Sequence, residues 1–176
     1  MTTFGASYFS AGQKLSASKL NLLTDQIDLV SDAVVFDAVQ TSTQSVANAT
    51  DTPITFTTEN VDSNGGHSTS SNTSRFTPTV SGYYLVVGQV GYANGSSTGR
   101  RGAKILRNGS GVTGTQILLS SGDDASILSI PVSGMVYLNG STDYVEIAAI
   151  QDSGGSMNTT TGSEASRMTV SLIRNA

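Results

Sequence analysis

The chain has 176 residues, only 12% of them charged, with 19 glycines, no cysteine and a formal net charge of −4 at pH 7. The lack of cysteine excludes disulfides and thiolate zinc sites, the acidic balance argues against nucleic acid as a partner, and no apolar run approaches the roughly 18 residues that membrane insertion as a helix requires. A charged fraction near half of the roughly 25% in ordinary soluble proteins indicates a turn-rich chain whose strands have uncharged polar faces.

Residues 1–34 form a separate first segment, an anchor in which a short α-helix is predicted over 16–34. Apolar residues recur there in steps of three and four, at Leu20, Leu23, Ile27, Val30 and Val34. This spacing is the a/d pattern of a coiled-coil seam. A helix of so few turns is marginal alone in water, so either its own domain or other copies of the chain must cover the stripe. If copies cover it, these five residues lie at the contact between them.

From residue 35 onward the apolar period changes to two, which predicts a single all-β domain over 35–176. Turn residues separate the β-rich runs, and Asn-Gly pairs at 94–95, 108–109 and 139–140 are typical of tight hairpin turns. Strands are expected near 35–41, 44–48, 53–58, 73–79, 82–93, 100–107, 115–120, 125–138, 142–151 and 166–174. Many short strands without intervening helices predict an antiparallel sandwich or barrel. The polar segment 60–73 is expected to be a long surface loop.

The run at 82–93 is apolar on both faces of the expected strand. Tyr84 and Val86 lie on one face, while Tyr83, Leu85 and Val87 lie on the other. A strand that is apolar on both sides favours one face in the domain core and the second face in a subunit interface. The alternative is a single sandwich with a somewhat apolar exterior.

The sequence offers little that is typical of catalysis, so we predict no enzyme, no cofactor and no bound metal. His67 is the only histidine and sits in the polar loop, away from any nucleophile motif. The glycines of 109–114 match a dinucleotide fingerprint, but no helix follows them. Acidic loop residues leave two alternatives open, a calcium site and a carboxylate pair for glycoside hydrolysis. These residues are Asp123, Asp124, Asp152 and Glu164.

Phe76, followed after five residues by Gly82-x-Tyr84-x-Val86, resembles the F-x5-G-x-Y-x-F core of the C1q/TNF-like jelly-roll domain. The resemblance extends over roughly residues 35–176 and ends in a closing strand at 168–176. Val86 stands where that family usually has an aromatic residue, which indicates a remote relative and not a complement or cytokine protein. The resemblance implies an antiparallel jelly-roll sandwich with these four residues in its core, and a homotrimer packed around a threefold axis.

Residues 9–23 are similar to an opening found in many bacteriophage structural proteins, and Gly12, Leu15, Ala17, Leu20 and Asn21 carry the match. Together the two resemblances imply a virion protein that is made in the host cytoplasm and displayed on the particle exterior. It would be a capsid decoration or short head fibre, attached to other virion proteins through its N-terminal segment.

Two other functions are alternatives to this virion role. One is a tail-tip or tail-fibre adhesin whose loops at 60–73, 93–100 and 152–165 bind a host glycan or protein. The other is a β-sandwich enzyme that acts on carbohydrate. None of these three functions involves nucleic acid or membrane insertion.

Overall fold

The structure is a computed structural model, and it describes residues 12, 14, 16–18, 21, 33–95, 98–120 and 128–176. Backbone contacts divide the chain into one unit of Met1–Ala33 and a second unit of Val34–Ala176. Residues 17, 18 and 21 of the first unit are helical. The predicted stripe residues Leu20, Leu23, Ile27 and Val30 lie outside the described residues. No helix among the described residues has the length and apolar character needed to cross a membrane.

The second unit is built from antiparallel strands joined by turns and loops. Its described strands are β1 (Val35–Val39), β2 (Ser45–Val46), β3 (Thr52–Pro53), β4 (Thr58–Asp62), β5 (Gly82–Tyr92), β6 (Arg100–Arg107), β7 (Ser110–Gly111), β8 (Ile117–Ser120), β9 (Leu128–Leu138), β10 (Val145–Gln151), β11 (Met157–Asn158) and β12 (Arg167–Asn175). A 3-10 turn, Gly162–Glu164, precedes β12. The all-β expectation is confirmed.

The first sheet has the strand order β4-β1-β12-β5-β9, and every neighbouring pair is antiparallel. The last strand of the chain therefore lies at its centre. Strands β5 and β9 pair without a register shift from Gly82↔Leu138 to Tyr92↔Leu128. Strand β12 has a bulge between Leu172 and Arg174 where it pairs with β5.

The second sheet has the order β3-β10-β6-β7, and β8 also pairs with β6. After β1 the chain crosses to this sheet at β3 and returns to the first sheet at β4 and β5. It crosses again for β6 to β8, returns at β9, crosses at β10 and returns at β12. These repeated crossings make a jelly roll. At the β6–β7 hairpin, Asn108 and Gly109 both have positive φ (52° and 76°), as expected for an Asn-Gly turn.

The hydrophobic core fills the space between the two sheets, where alternate residues of the facing strands meet. Phe76, Tyr84 and Val86 have no exposed surface. Phe76 stacks on Phe36 at 4.9 Å between ring centroids and meets the edge of Tyr84 at 6.3 Å. Gly82 is also buried, and a Cβ there would collide with the carbonyl oxygen of Arg174 on the paired strand.

The structure shows that Val34 does not belong to the predicted set of contact residues. The helical spacing assigned it to a contact between copies, but its side chain is only 2% exposed and packs in the sandwich core. Its carbonyl oxygen accepts a hydrogen bond of 3.0 Å from the Leu172 backbone N–H. The residue directly precedes β1, so the sheet fixes its backbone and turns its side chain inward.

Two segments of the β region were predicted wrongly, one strand and one loop. The expected strand at 73–79 is reduced to isolated bridges from Phe76 to His67 and to Val145, because Pro78 has no N–H to continue a ladder. In contrast, the expected loop at 60–73 begins inside β4, an edge strand that pairs with β1. Strand β4 is exposed along most of its length, so its sequence lacks the apolar alternation that reveals a half-buried strand.

Candidate oligomerisation surface

The outward side of the first sheet is apolar over much of strand β5. Tyr84 and Val86 point into the core, and the intervening Tyr83, Leu85 and Val87 point away from it. These three side chains are 45%, 37% and 42% exposed in the single chain. The strand is therefore apolar on both of its faces, and only one face is covered by its own domain.

Neighbouring strands enlarge this exposed surface. Met135 and Tyr137 of β9 lie opposite Leu85 and Tyr83, respectively, and the rings of Tyr83 and Tyr137 are 5.5 Å apart. The bulge of β12 adds Ile173 beside Tyr83. We call this set the apolar face. It comprises Tyr83, Leu85, Val87, Met135, Tyr137 and Ile173.

A second exposed apolar surface lies on β8, which pairs with β6 on one side. Ile117 and Leu119 alternate along β8, and both are well exposed. We call these two residues the apolar edge. The single chain thus has two apolar surfaces on different elements, the face of one sheet and an edge strand of the other. Contiguous exposed apolar surface of this kind usually marks a contact site.

A groove of about 600 Å³ lies beside the apolar face, between β9 and the β6–β7 hairpin. Met135 and Tyr137 form one side, while Arg107 and Val112 form the other. The Arg107 guanidinium lies over the Tyr137 ring, with its central carbon 5.8 Å from the ring centroid. Its Nη2 donates a 2.6 Å hydrogen bond to Asp143. This groove gives the apolar face a concave border.

The opposite end of the same sheet surface is polar and centred on Asp37. This carboxylate accepts hydrogen bonds from Arg167 Nε (2.7 Å) and Nη2 (3.0 Å), from the Thr169 hydroxyl (2.6 Å) and from the Asn60 amide (2.6 Å). Burial alone would raise the pKa of Asp37, but these hydrogen bonds and the Arg167 charge outweigh burial and hold that pKa below its ordinary value. Thr169 lies opposite Val87 in the sheet register, so the charged network directly adjoins the apolar face.

His67, the residue considered for catalysis, has a structural environment. Its Nδ1 is 2.6 Å from Glu59 Oε1, its Nε2 is 3.0 Å from the carbonyl oxygen of Thr73, and its ring lies 4.9 Å from Phe36. The side chain is fully buried. Both ring nitrogens are therefore engaged in holding the loop that follows β4 and are not aimed at a serine.

The acidic residues considered for calcium or hydrolysis are scattered. Asp152 accepts hydrogen bonds from the Arg100 backbone N–H and from its side chain, at 2.8 Å from Nε. Glu164 is exposed on the 3-10 turn. Asp123 and Asp124 lie outside the described residues. In the part of the chain that the structure describes, no three His, Cys, Asp or Glu side chains are grouped as metal ligands.

Sequence reasoning placed Tyr83, Leu85 and Val87 on one strand face but missed the rest of the surface. The period of two continues in β9, where Met135 and Tyr137 alternate with buried Val136 and Leu138. The same test that identified the β5 residues would have found these two. No local signal indicated the Asp37 network, since its partners come from distant segments.

No family model matches the sequence, and no curated protein is significantly similar to it. Solved structures are similar in fold. Murine APRIL at pH 5.0 matches with a TM-score of 0.60 and 14% identity, over 80% of this chain and 99% of that one. Eiger TNF from S. frugiperda matches with a TM-score of 0.54 and 14% identity, over 82% and 95% of the two chains.

A third similar structure is PRD1 vertex protein P5, with a TM-score of 0.55 and 15% identity, over 81% of this chain and 98% of that one. Identities this low establish the fold and nothing further. The chain therefore has a TNF-like jelly-roll fold, which confirms the fold class that the Phe76 to Val86 pattern implied.

Proposed function

We propose that this chain is a non-enzymatic structural protein of a bacteriophage virion, which assembles as a homotrimer and is displayed on the particle surface as a capsid decoration or short head fibre. The observation that carries the trimer is the exposed apolar face on β5 and β9. Exposure of apolar side chains such as Leu85 and Met135 to water is unfavourable, and association that buries them would lower the free energy.

The presence of two different apolar surfaces on one chain supports assembly into a ring of copies. When the apolar edge of one copy covers the apolar face of the next, the contact is heterologous. A heterologous contact forms a closed ring if the rotation from one copy to the next divides a full turn into a whole number of equal steps. The C1q/TNF-like resemblance favours closure after three copies, and the TNF-like fold supports the same arrangement.

The virion assignment has separate support. The opening at residues 9–23 is similar to that of many bacteriophage structural proteins, and the fold is shared with a protein described as a vertex protein. On this proposal the N-terminal segment attaches the trimer to another virion protein. The β domains then present their polar loops to water, and three identical contacts per particle site multiply any weak affinity.

Light scattering on the purified full chain tests the trimer. The expected molar mass is three times the chain mass of 18.1 kDa, and a monomer at all concentrations would overturn the proposal. The same measurement on residues 34–176 locates the contact, and we expect this domain alone to remain a trimer. Mass spectrometry of purified particles, with antibody labelling of intact particles, tests the virion location independently.

A further inference from the structure

A second concave site lies between the loop that follows β4 and the loop that joins β9 to β10. Its volume is about 520 Å³, within the range of roughly 300–1,000 Å³ typical of small-ligand pockets. None of the apolar-face residues lines it. Hydroxyl, amide and glycine groups dominate its walls, and Tyr144 and Arg75 stand among them. We call it the hydroxyl cleft.

Hydrogen bonds within the two loops hold both walls of the hydroxyl cleft in place. Asp62 accepts hydrogen bonds from the backbone N–H groups of Asn64 (3.4 Å), Gly66 (3.1 Å) and His67 (2.9 Å). On the other wall, Asn139 Oδ1 accepts 3.0 Å hydrogen bonds from the backbone N–H groups of Ser141, Thr142 and Asp143. Loops fixed in this way need little ordering when a ligand binds, which favours affinity.

Arg75 is held in the wall of the hydroxyl cleft by a ring contact and an ion pair. Its guanidinium carbon lies 4.1 Å from the centroid of the Tyr144 ring. Its Nε is 3.4 Å from Glu146 Oε1, and Glu146 is also held by the Ser74 hydroxyl at 2.7 Å. No hydrogen bond of the terminal guanidinium nitrogens is found within the described residues. Two planar N–H donor groups are thus fixed at the cleft wall and available to a ligand.

The charges around the cleft favour an uncharged ligand. Arg75 is paired with Glu146, which is almost completely buried, and His67 is paired with Glu59. The Arg75 charge therefore has a carboxylate beside it, which cancels most of its attraction for a phosphate or an acidic ligand. The remaining donors and acceptors are hydroxyl and amide groups, such as Thr77 and Asn72.

We propose that the hydroxyl cleft binds a neutral saccharide through adjacent hydroxyl groups. The planar guanidinium of Arg75 offers parallel N–H donors to neighbouring sugar oxygens, and Asn72 and Thr77 both donate and accept. The cleft is contained in one chain, so this proposal does not depend on trimer formation. A single site of this kind binds weakly, with a dissociation constant of roughly 1 mM.

Saturation-transfer NMR on the full-length protein tests the proposal. The probes are glucose, galactose, mannose, rhamnose and N-acetylglucosamine, with glucuronic acid and inorganic phosphate as anionic comparisons. At least one neutral sugar is expected to receive saturation. Arg75→Lys keeps the charge but loses the planar fork, and Thr77→Val loses one hydroxyl at nearly constant shape. Each is expected to weaken binding, Arg75→Lys by at least about tenfold.

The matched control is Arg100→Lys, because Arg100 forms its ion pair with Asp152 away from the cleft. Its sugar binding should equal that of the unmodified protein. Circular dichroism and thermal melting identify any variant that does not fold, and the remaining cleft variant then decides the result. Absence of binding by all neutral sugars, binding of the anionic probes alone, or unchanged binding in both cleft variants would overturn the proposal.

Discussion

Leu85 on β5 lies directly opposite Met135 on β9, and both side chains point out of the sandwich into solvent. A cross-strand pair of this kind stabilises a sheet through contact between its two side chains. In the single chain the outer sides of both side chains are exposed to water. The pair therefore marks the centre of the surface on which the proposed trimer depends.

Leu85→Asp is expected to convert the trimer to a monomer. In the trimer this substitution places an unpaired carboxylate in a desolvated contact, at a cost of about 3 kcal/mol or more per contact. That is roughly a hundredfold in each association step. Light scattering over a range of protein concentrations measures the change.

The control for this substitution is Thr69→Asp, which adds the same charge to an exposed loop position. It should leave the molar mass unchanged. Circular dichroism of Leu85→Asp should match that of the unmodified chain, because residue 85 faces away from the core. A trimer that persists in Leu85→Asp at micromolar concentration would place the subunit contact elsewhere.

Asp37→Asn is expected to lower the free energy of unfolding at neutral pH by about 1–2 kcal/mol. The amide group keeps the shape of the carboxylate but cannot accept all the hydrogen bonds of Arg167 and Thr169. The estimate is kept small because more than half of the Arg167 side chain is exposed and water screens its charge. Urea denaturation measures the change, and Glu164→Gln at an exposed position is the control, with an effect below about 0.5 kcal/mol.

The same variant should alter the pH dependence of stability. The pKa of Asp37 in the folded chain lies below its ordinary value of 3.8, so the unfolded chain binds its proton first as the pH falls. The stabilisation is therefore complete above the ordinary pKa and is lost as the pH falls through the lower folded pKa. The difference between the unmodified chain and Asp37→Asn should be constant at about pH 5–7 and shrink below about pH 4. A difference as large at about pH 3 as at about pH 7 would contradict the assigned network.

Gly82→Ala is expected to destabilise the β domain by about 1–3 kcal/mol. A Cβ at this position would collide with the carbonyl oxygen of Arg174 and lie 2.6 Å from Leu172 Cδ1. Backbone atoms cannot move aside as a flexible side chain can, so β5 and β12 must separate locally. Gly155→Ala is the control, since a Cβ there meets no atom within 4 Å. Thermal melting should distinguish the two, and equal melting temperatures would mean that β5 and β12 are less closely paired than described.

The sequence predicted the jelly roll and the outward Tyr83, Leu85 and Val87 because both depend on local alternation and on one short motif. Other features depend on long-range contacts that no local pattern encodes. Asp37 and Arg167 are 130 residues apart in sequence and meet only because β12 lies beside β1. Val34 was assigned incorrectly for the same reason, since its helical spacing continued into a segment that the sheet controls.

Tyr92→Phe is expected to lower the free energy of unfolding by about 1–3 kcal/mol, although it removes a single oxygen atom. The Tyr92 hydroxyl is buried, donates to the Gly102 carbonyl oxygen at 2.7 Å and accepts from the Ile150 backbone N–H at 3.0 Å. Burial raises the pKa of this phenol to about 12, so it stays protonated and able to donate. Phenylalanine would leave both backbone groups without this partner, in a region that water does not reach. Tyr83→Phe is the matched control, because the Tyr83 ring is well exposed and its loss of a hydroxyl should change stability by less than about 0.5 kcal/mol. Urea denaturation of the two variants side by side measures the difference, and equal unfolding free energies would mean that the Tyr92 hydroxyl does not bridge β6 and β10 as described.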